Sequence, residues 1–371
     1  MSSSQQHVTK NIRAILLKRI VTSMLLAGAF FGALNAHALD AVTVGLAIPP
    51  AVHDGAPYAA ADKLGLFKEE GLDVKLIIFQ GAGALIPQVA SKRITFGYPT
   101  AEPVLSSYLN GGTPVPVRYF YNGVPANTME FAVLASSPVK TLGDLKDKKI
   151  GVGALSWGTI PGSRAALREA GLKPGTNVEY VAVGALGAGF HALKTGAVDA
   201  LNFNSSWDDM LELSGTPIRR IRYPSVFDET AGNGFIAHRD TFNEHPDLIV
   251  RFGRAYTKAQ IVCQANPAFC VNAFWAEHPE SKPQGDETKN LREAVELVKR
   301  RLDRVLLTSD GKPRQAGAYN LPAVRANLAE MQKVGEFPKG DVPIDQIFSN
   351  QFVPEFSRFD EAALRERARQ Q

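Results

Sequence analysis

The sequence has few of the residues and motifs on which catalytic and metal sites depend. Its 371 residues include two cysteines and seven histidines. No H-E-x-x-H or C-x-x-C motif occurs, so a zinc-protease or thioredoxin-type site is not indicated. A G-x-S-x-G nucleophile elbow is absent, and the glycines of Gly184–Gly189 do not follow the G-x-G-x-x-G order of dinucleotide sites. We therefore expect no enzyme activity, no cofactor and no metal.

Long runs of like charge are also missing, since no run reaches five residues. The formal net charge of +4 has one local source, the four basic residues among the first 38, which include no Asp or Glu. Without them the 41 Lys and Arg residues become 37, equal to the 37 Asp and Glu residues. A formally neutral chain gives no reason to expect nucleic acid as a partner.

The N-terminus has the three parts of a secretory signal peptide. Basic residues between Lys10 and Arg19 precede an apolar run from Ile20 to Leu34, and Ala36-His37-Ala38 forms an A-x-A site. A membrane anchor is the alternative, but the run is shorter than the roughly 20 residues that a span needs. No cysteine lies nearby for a lipid anchor. We expect residues 1–38 to be removed after Ala38, leaving a periplasmic monomer.

Alternating strands and helices then predict a parallel α/β fold. In the segment Pro57 to Leu76, Pro57 suits the first turn of a helix, Gly65 ends that helix, and an alternating strand begins after Gly71. A second αβ set starts near Thr141, and the pattern is helical from His245 onward. Roughly 330 residues are enough for two domains.

Several segments resemble one family of binding proteins. They are PYAAADKLGLFKEEGLDVKL, QGAGALIPQVASKRITFGYP, SPVKTLGDLKDKKIGVGALSWG, REAGLKPGTNVEYVAV and ALKTGAVDALNF, in that order. These segments are similar to those of the NitT/TauT-type solute-binding proteins of ABC importers. The resemblance implies a type II periplasmic-binding-protein fold, with two parallel-core sheets flanked by helices and a ligand cleft between two lobes. Lobe 1 would comprise 39–130 and 235–371, and lobe 2 would comprise 131–234. The partners implied are a small-molecule ligand and ABC permease subunits.

In such sheets, ligands bind where the carboxyl ends of the strands meet helix N-termini. The candidate ligand-binding residues are His53, Asp54, Tyr58, Gln80, Gly81, Ala82, Gly83, Pro99, Thr100, Ser156, Trp157, Gly158, Thr159, Gly184, Ala185, Asn202 and Asn204. The loops beginning at Gln80 and Ser156 place small residues just before a helix, which would let backbone N–H groups reach an anion. The same residues can equally be tight turns and N-caps.

Other side chains near the strand ends add to this site. Tyr98 and Trp207 could join Tyr58 and Trp157 in an aromatic wall, although core packing explains them equally well. Glu102 follows the third strand. Arg118 and Arg164 could pair with a carboxylate or sulfonate of the ligand, or be solvated.

The expected ligand is a small organic anion, a sulfonate or an aromatic carboxylate. A pyrimidine-like heterocycle is the alternative, as is an enzyme resembling the thiamine-pyrimidine synthases, although their cysteine-rich motif is missing. A binding protein that serves a sensor is a further possibility. Cys263 and Cys270 lie on either side of Asn266-Pro267, where a helix corner could join them in a disulfide.

Overall fold

Two five-stranded sheets organise the computed structural model, which describes residues 38–111 and 113–371. The predicted signal peptide lies outside these residues, apart from Ala38. The strands are β1 (Asp40–Leu46), β2 (Leu72–Ile78), β3 (Phe96–Tyr98), β4 (Val117–Asn122), β5 (Met129–Leu134), β6 (Lys148–Val152), β7 (Val178–Ala182), β8 (Ala200–Asn204), β9 (Ile218–Arg222) and β10 (Gly234–His238).

Fifteen α-helices lie in the described part of the chain. They are α1 (Val52–Leu64), α2 (Leu66–Glu69), α3 (Ala82–Ala90), α4 (Glu102–Leu109), α5 (Ile160–Glu169), α6 (Gly187–Lys194), α7 (Ser205–Leu213), α8 (Thr241–Glu244), α9 (Pro246–Ala265), α10 (Pro267–Glu277), α11 (Glu287–Leu306), α12 (Leu321–Lys333), α13 (Ile344–Ile347), α14 (Val353–Phe356) and α15 (Glu361–Arg369). Short 3₁₀ turns occur at Leu142–Leu145, Ser225–Phe227 and Pro279–Ser281. No described helix has the length and apolar character that a membrane span requires.

Each sheet combines a parallel core with antiparallel neighbours. Sheet 1 has the order β2-β1-β3-β10-β4, in which β1 pairs parallel with β2 and β3, and β10 pairs antiparallel with β3 and β4. Sheet 2 has the order β7-β6-β8-β5-β9, in which β5 is antiparallel to both neighbours. The antiparallel strands β10 and β5 are those that directly follow a crossing between the sheets. The predicted two-lobed α/β fold is confirmed, with mixed sheets.

The helix of the opening αβ unit begins earlier than the sequence predicts. It starts at Val52, so Pro57 lies inside α1 and not in its first turn. The missing N–H of Pro57 costs one helical hydrogen bond, which the packing of the buried helix offsets. Gly65 ends the helix as predicted, with φ 70° and its N–H on the Ala61 and Asp62 carbonyls.

The C-terminal helices complete the lobe around sheet 1. Helices α9, α10, α11 and α15 share one apolar core with α1 and sheet 1, and Phe252 of α9 packs against Phe96 and Phe235 at centroid distances of 4.9 Å. A disulfide joins Cys263 at the end of α9 to Cys270 in α10, with Cα atoms 5.5 Å apart. Both cysteines are fully buried, so the bond lies inside this core.

Candidate ligand-binding site

A cavity of about 200 Å³ lies where the carboxyl ends of β1 and β3 in sheet 1 face the loops that follow β6 and β8 in sheet 2. Both segments that connect the sheets line it, and so do side chains of α9, α11 and α12. Ligands of open α/β sheets bind at this edge because loops and helix N-termini converge there. The cavity is therefore the candidate site.

About half of the predicted ligand-binding residues line this cavity. Those on its wall are Asp54, Tyr58, Gly81, Ala82, Thr100, Trp157, Gly158, Thr159 and Asn204. The predicted residues that are not part of the wall are His53, Gln80, Gly83, Pro99, Ser156, Gly184, Ala185 and Asn202.

The residues away from the wall have other surroundings. Gln80, Gly83, Ser156 and Ala185 are exposed to solvent. Pro99 is buried, and its carbonyl accepts a hydrogen bond from the backbone N–H that begins β10.

His53 and Asn202 lie behind the wall and touch residues that form it. His53 is 1% exposed, and its Nε2 lies 3.0 Å from Oδ2 of Asp54. Asn202 donates hydrogen bonds to the Glu130 carbonyl at 3.0 Å and to the Tyr223 hydroxyl at 2.8 Å. Each side chain thus contacts a residue that lines the cavity, Asp54 in the case of His53 and Tyr223 in the case of Asn202.

An ion pair occupies one end of the cavity. Oδ1 of Asp54 in α1 lies 3.0 Å from Nε of Arg301 in α11. Burial alone would raise the pKa of Asp54, but the charge of Arg301 and the contact with His53 bring that pKa well below its usual value. The carboxylate is therefore charged at neutral pH, and it neutralises Arg301, the one arginine among the described residues of the wall.

Aromatic rings cover both faces of the cavity. Tyr58 packs against Tyr256 with centroids 5.1 Å apart, and the buried Tyr58 hydroxyl has no partner among the described residues. On the opposite face, Trp157 makes an edge contact with Trp207 at 5.7 Å. Burial raises the pKa of Tyr58 and Tyr98, so both phenols stay protonated and can donate hydrogen bonds.

A second polar cluster crosses from one lobe to the other. Thr100 and Glu102 stand at the start of α4 in lobe 1, and Thr159 stands at the start of α5 in lobe 2. Thr100 Oγ1, Glu102 Oε2 and Thr159 Oγ1 are buried and without a hydrogen-bond partner in the described chain. Unsatisfied buried polar atoms are costly, and three at one place indicate a position for polar ligand atoms.

The ionisation of Glu102 is shifted by its surroundings. Burial raises the pKa of Glu102 to about 7, partly opposed by its own backbone N–H. At neutral pH the carboxyl is thus divided between a charged form, which only accepts hydrogen bonds, and a protonated form, which also donates one.

The two lobes are in close contact beside this cluster. A Cβ atom added to Gly158 would lie 2.3 Å from Thr100 Oγ1 and 3.2 Å from the Pro103 ring. Any larger residue at this position would require Thr100 or the lobe that carries it to move. The loop predicted to bind ligand therefore also sets how near the lobes come.

The wall offers little positive charge to an anion. Its charged side chains within the described ranges are Asp54, Glu102 and Arg301, and the arginine is already paired. Pro103 and Pro161 stand near the start of α4 and α5, where each removes one of the free backbone N–H groups. The N-terminus of α5 is thus a weaker anion site than the loop beginning at Ser156 predicts.

Ion pairs join the lobes outside the cavity. On one side, the Glu336 carboxylate is 2% exposed and accepts from Arg164 of α5 and, at 2.7 Å, from Arg168. On the other side, Asp209 of α7, also 2% exposed, accepts from Arg304 of α11 at 2.7 Å and from Arg300 at 3.2 Å. Arg164 is therefore bound to protein and not available to a ligand.

The architecture and the position of the cavity define the class of protein. Two lobes built on facing sheets, joined by two crossings and enclosing a cavity, form the periplasmic-binding-protein fold. The sequence profile of the family described as NMT1/THI5-like matches residues 53–269, which is more than half of the chain. The chain belongs to this family, and the resemblance to NitT/TauT-type binding proteins is confirmed. No curated protein matches the chain in sequence.

Solved structures share the fold across most of the chain. A protein from Bordetella bronchiseptica RB50 is 22% identical with TM-score 0.64, covering 85% of this chain and 96% of that one. The alkanesulfonate-binding protein SsuA from Xanthomonas axonopodis pv. citri, bound to MOPS, is 16% identical with TM-score 0.61 and coverage of 83% and 98%. The periplasmic nitrate-binding protein NrtA from Synechocystis PCC 6803 is 14% identical with TM-score 0.62 and coverage of 86% and 89%.

Proposed function

We propose that this chain is the substrate-binding component of an ABC importer, which captures a small molecule in the periplasm and delivers it to permease subunits. The observation that carries the proposal is the cavity between the lobes, where unpartnered polar atoms of both lobes converge beside Gly158. A ligand held by both lobes stabilises the closed form, and a transporter can then recognise that form.

The functions of two structural neighbours agree with this role. SsuA is an alkanesulfonate-binding protein and NrtA a nitrate-binding protein. Catalysis has less support, because both cysteines are joined in a disulfide within the helical core and neither lines the cavity. We propose a secreted monomer that acts by hinge closure and without turnover.

The wall chemistry favours one of the two expected ligand classes. A sulfonate or aromatic carboxylate would meet the Glu102 carboxyl and no unpaired cation on the described wall. A flat heterocycle with N–H donors could stack between Tyr58 and Trp157 and donate to Glu102. We therefore propose a pyrimidine-like heterocycle as the first candidate ligand and an organic anion as the second.

A thermal-shift screen of the chain from Leu39 onward, against sulfonates, aromatic carboxylates and amino-substituted pyrimidines, tests the function. Binding stabilises the folded form by RT ln(1 + [L]/Kd), so a ligand at a thousand times its Kd adds about 4 kcal/mol. A large shift with one class supports the proposal. If no compound of the panel raised the melting temperature, the proposed function would be refuted.

Glu102→Gln separates the two ligand classes. It should weaken an N–H-donating heterocycle roughly tenfold, since a hydrogen bond to a charged acceptor is lost. It should tighten an anion, since a repelling carboxylate is removed. Gly83→Ala is the matched control, because Gly83 is exposed and a Cβ there meets nothing within 4 Å.

A further inference from the structure

Two arginines lie together on sheet 1 at the edge opposite to the cavity. Arg118 stands near the start of β4, and Arg239 directly follows β10. The two strands pair antiparallel with Ala237 opposite Arg118, and their other ends lead to the cavity. The arginine pair is therefore separate from the ligand site.

Each guanidinium is held by an aromatic ring. Cζ of Arg118 lies 4.5 Å from the centre of the Phe242 ring, and Cζ of Arg239 lies 5.9 Å from the centre of the Tyr108 ring. Arg239 also donates to the Tyr108 hydroxyl, which leaves the hydroxyl proton free to donate in turn. The rings fix the positions of both cations without neutralising them.

The positive charge of the pair has no acidic partner in residues 38–111 and 113–371. Neither arginine forms an ion pair there, and Nε of each is buried without a hydrogen-bond acceptor. The nearby Asp240 carboxylate forms an ion pair with Lys92 instead, with Oδ2 2.5 Å from Nζ. Burial lowers the pKa of Arg118, and the like charge of the neighbouring Arg239 lowers it further.

We propose that Arg118 and Arg239 form a site for a tetrahedral oxyanion of the phosphate or sulfate type, either free or as part of an anionic lipid headgroup. Such an anion would relieve the repulsion and accept from the terminal Nη–H groups of the two guanidinium forks, since both Nε atoms are buried. The planar guanidinium fork matches its oxygens, and the Tyr108 hydroxyl supplies one more donor. The site does not depend on the importer function.

Calorimetric titration with inorganic phosphate at constant ionic strength tests the site. Arg118→Gln and Arg239→Gln should each weaken phosphate binding about tenfold, the usual effect of losing a charge-assisted hydrogen bond. Arg93→Gln is the matched control, an exposed arginine of the same lobe, and should change the affinity less than about twofold.

Co-sedimentation with phosphatidylglycerol vesicles, against phosphatidylcholine vesicles, distinguishes the two sources of the anion. Vesicle binding that requires both arginines, without binding of free phosphate, assigns the site to a lipid headgroup. The proposal is overturned if the protein binds neither phosphate nor the vesicles, or if phosphate binding persists when both arginines are replaced by glutamine.

Arginine modification by phenylglyoxal gives a result that does not depend on folding of the variants. In the unmodified sequence, phosphate or the vesicles should slow labelling of Arg118 and Arg239 at least threefold, as read by peptide mass spectrometry, while Arg93 reacts unchanged. Equal rates with and without both anions would count against the site.

Discussion

Replacing Glu102 by glutamine should make the stability of the protein depend differently on pH. The pKa of Glu102 rises from 4.5 to about 7 in the folded chain. Because the folded state then binds more protons than the unfolded state between these values, the stability contributed by Glu102 falls as the pH rises through this window. The amide side chain of the Glu102→Gln variant would have the same shape and no such dependence.

The size of this effect follows from the shift. One pKa unit corresponds to about 1.4 kcal/mol, so a rise from 4.5 to about 7 gives at most about 3 kcal/mol. The value is an upper limit, since Glu102 is only partly buried and water that enters with the charge reduces the cost. The difference in unfolding free energy, Glu102→Gln minus the original protein, should therefore increase from its value at pH 4.5 up to about pH 8.

Urea unfolding of both proteins at several pH values between 4.5 and 8 measures this difference, in which the other titrating groups cancel. Exposed Glu179→Gln serves as the control and should give a flat difference. A flat or falling difference for Glu102→Gln would show that the carboxyl does not remain buried and unpaired in the folded protein.

Three further changes have definite expected results. Gly158→Ala should prevent full closure of the lobes, because the added Cβ would lie 2.3 Å from Thr100 Oγ1. Small-angle scattering with ligand present should then show a larger radius of gyration than that of the original protein. Arg301→Met should lower the free energy of unfolding by about 3 kcal/mol at pH 7, because Asp54 loses its arginine partner. This loss should become smaller in acid. The ion pair holds the pKa of Asp54 low, and the stability that it contributes disappears as that carboxylate is protonated. Cys263→Ser should cost about 2 kcal/mol by opening a short disulfide loop, and should make denaturation insensitive to reductant.

Controls distinguish these effects from general damage. Gly83→Ala should leave closure unchanged. Arg325→Met removes an ion pair between two exposed side chains and should cost less than about 1 kcal/mol. A Gly158→Ala protein that closes fully, or an Arg301→Met protein as stable as the original at pH 7, would refute the corresponding contact.

The sequence predicts the strands well, and it predicts about half of the residues that line the cavity, because both follow from local patterns. Gly65 and the alternation after Gly71 define the first αβ unit, and small residues mark the loops at Gly81 and Gly158. Helix α15 falls within the region after His245 where the pattern is helical, and it has local signals of its own, since Asp360 caps its first turn and Leu364 and Ala368 repeat at helical spacing on its buried face.

The long-range contacts of the site could not be predicted. Arg301 and Tyr256 reach the cavity from α11 and α9, more than 190 residues after Asp54 and Tyr58, and nothing in their surroundings marks them. The sequence places His53 in a loop because Pro57 suggests a later helix start. Helix α1 begins at Val52, and its packing turns His53 into the core.

The position of β10 has a consequence for the order in which the chain folds. All five strands of sheet 2 come from one continuous stretch, Met129–Arg222, which can pair as soon as it has been made. Sheet 1 needs Gly234–His238 between β3 and β4, so its first four strands must wait, with two edges unpaired, until sheet 2 has emerged. Unpaired edges promote association between chains. The interval between β4 and β10 is therefore the stage at which the growing chain is most prone to association, and a chain cut short before Gly234 should retain a folded second lobe attached to an aggregation-prone first one.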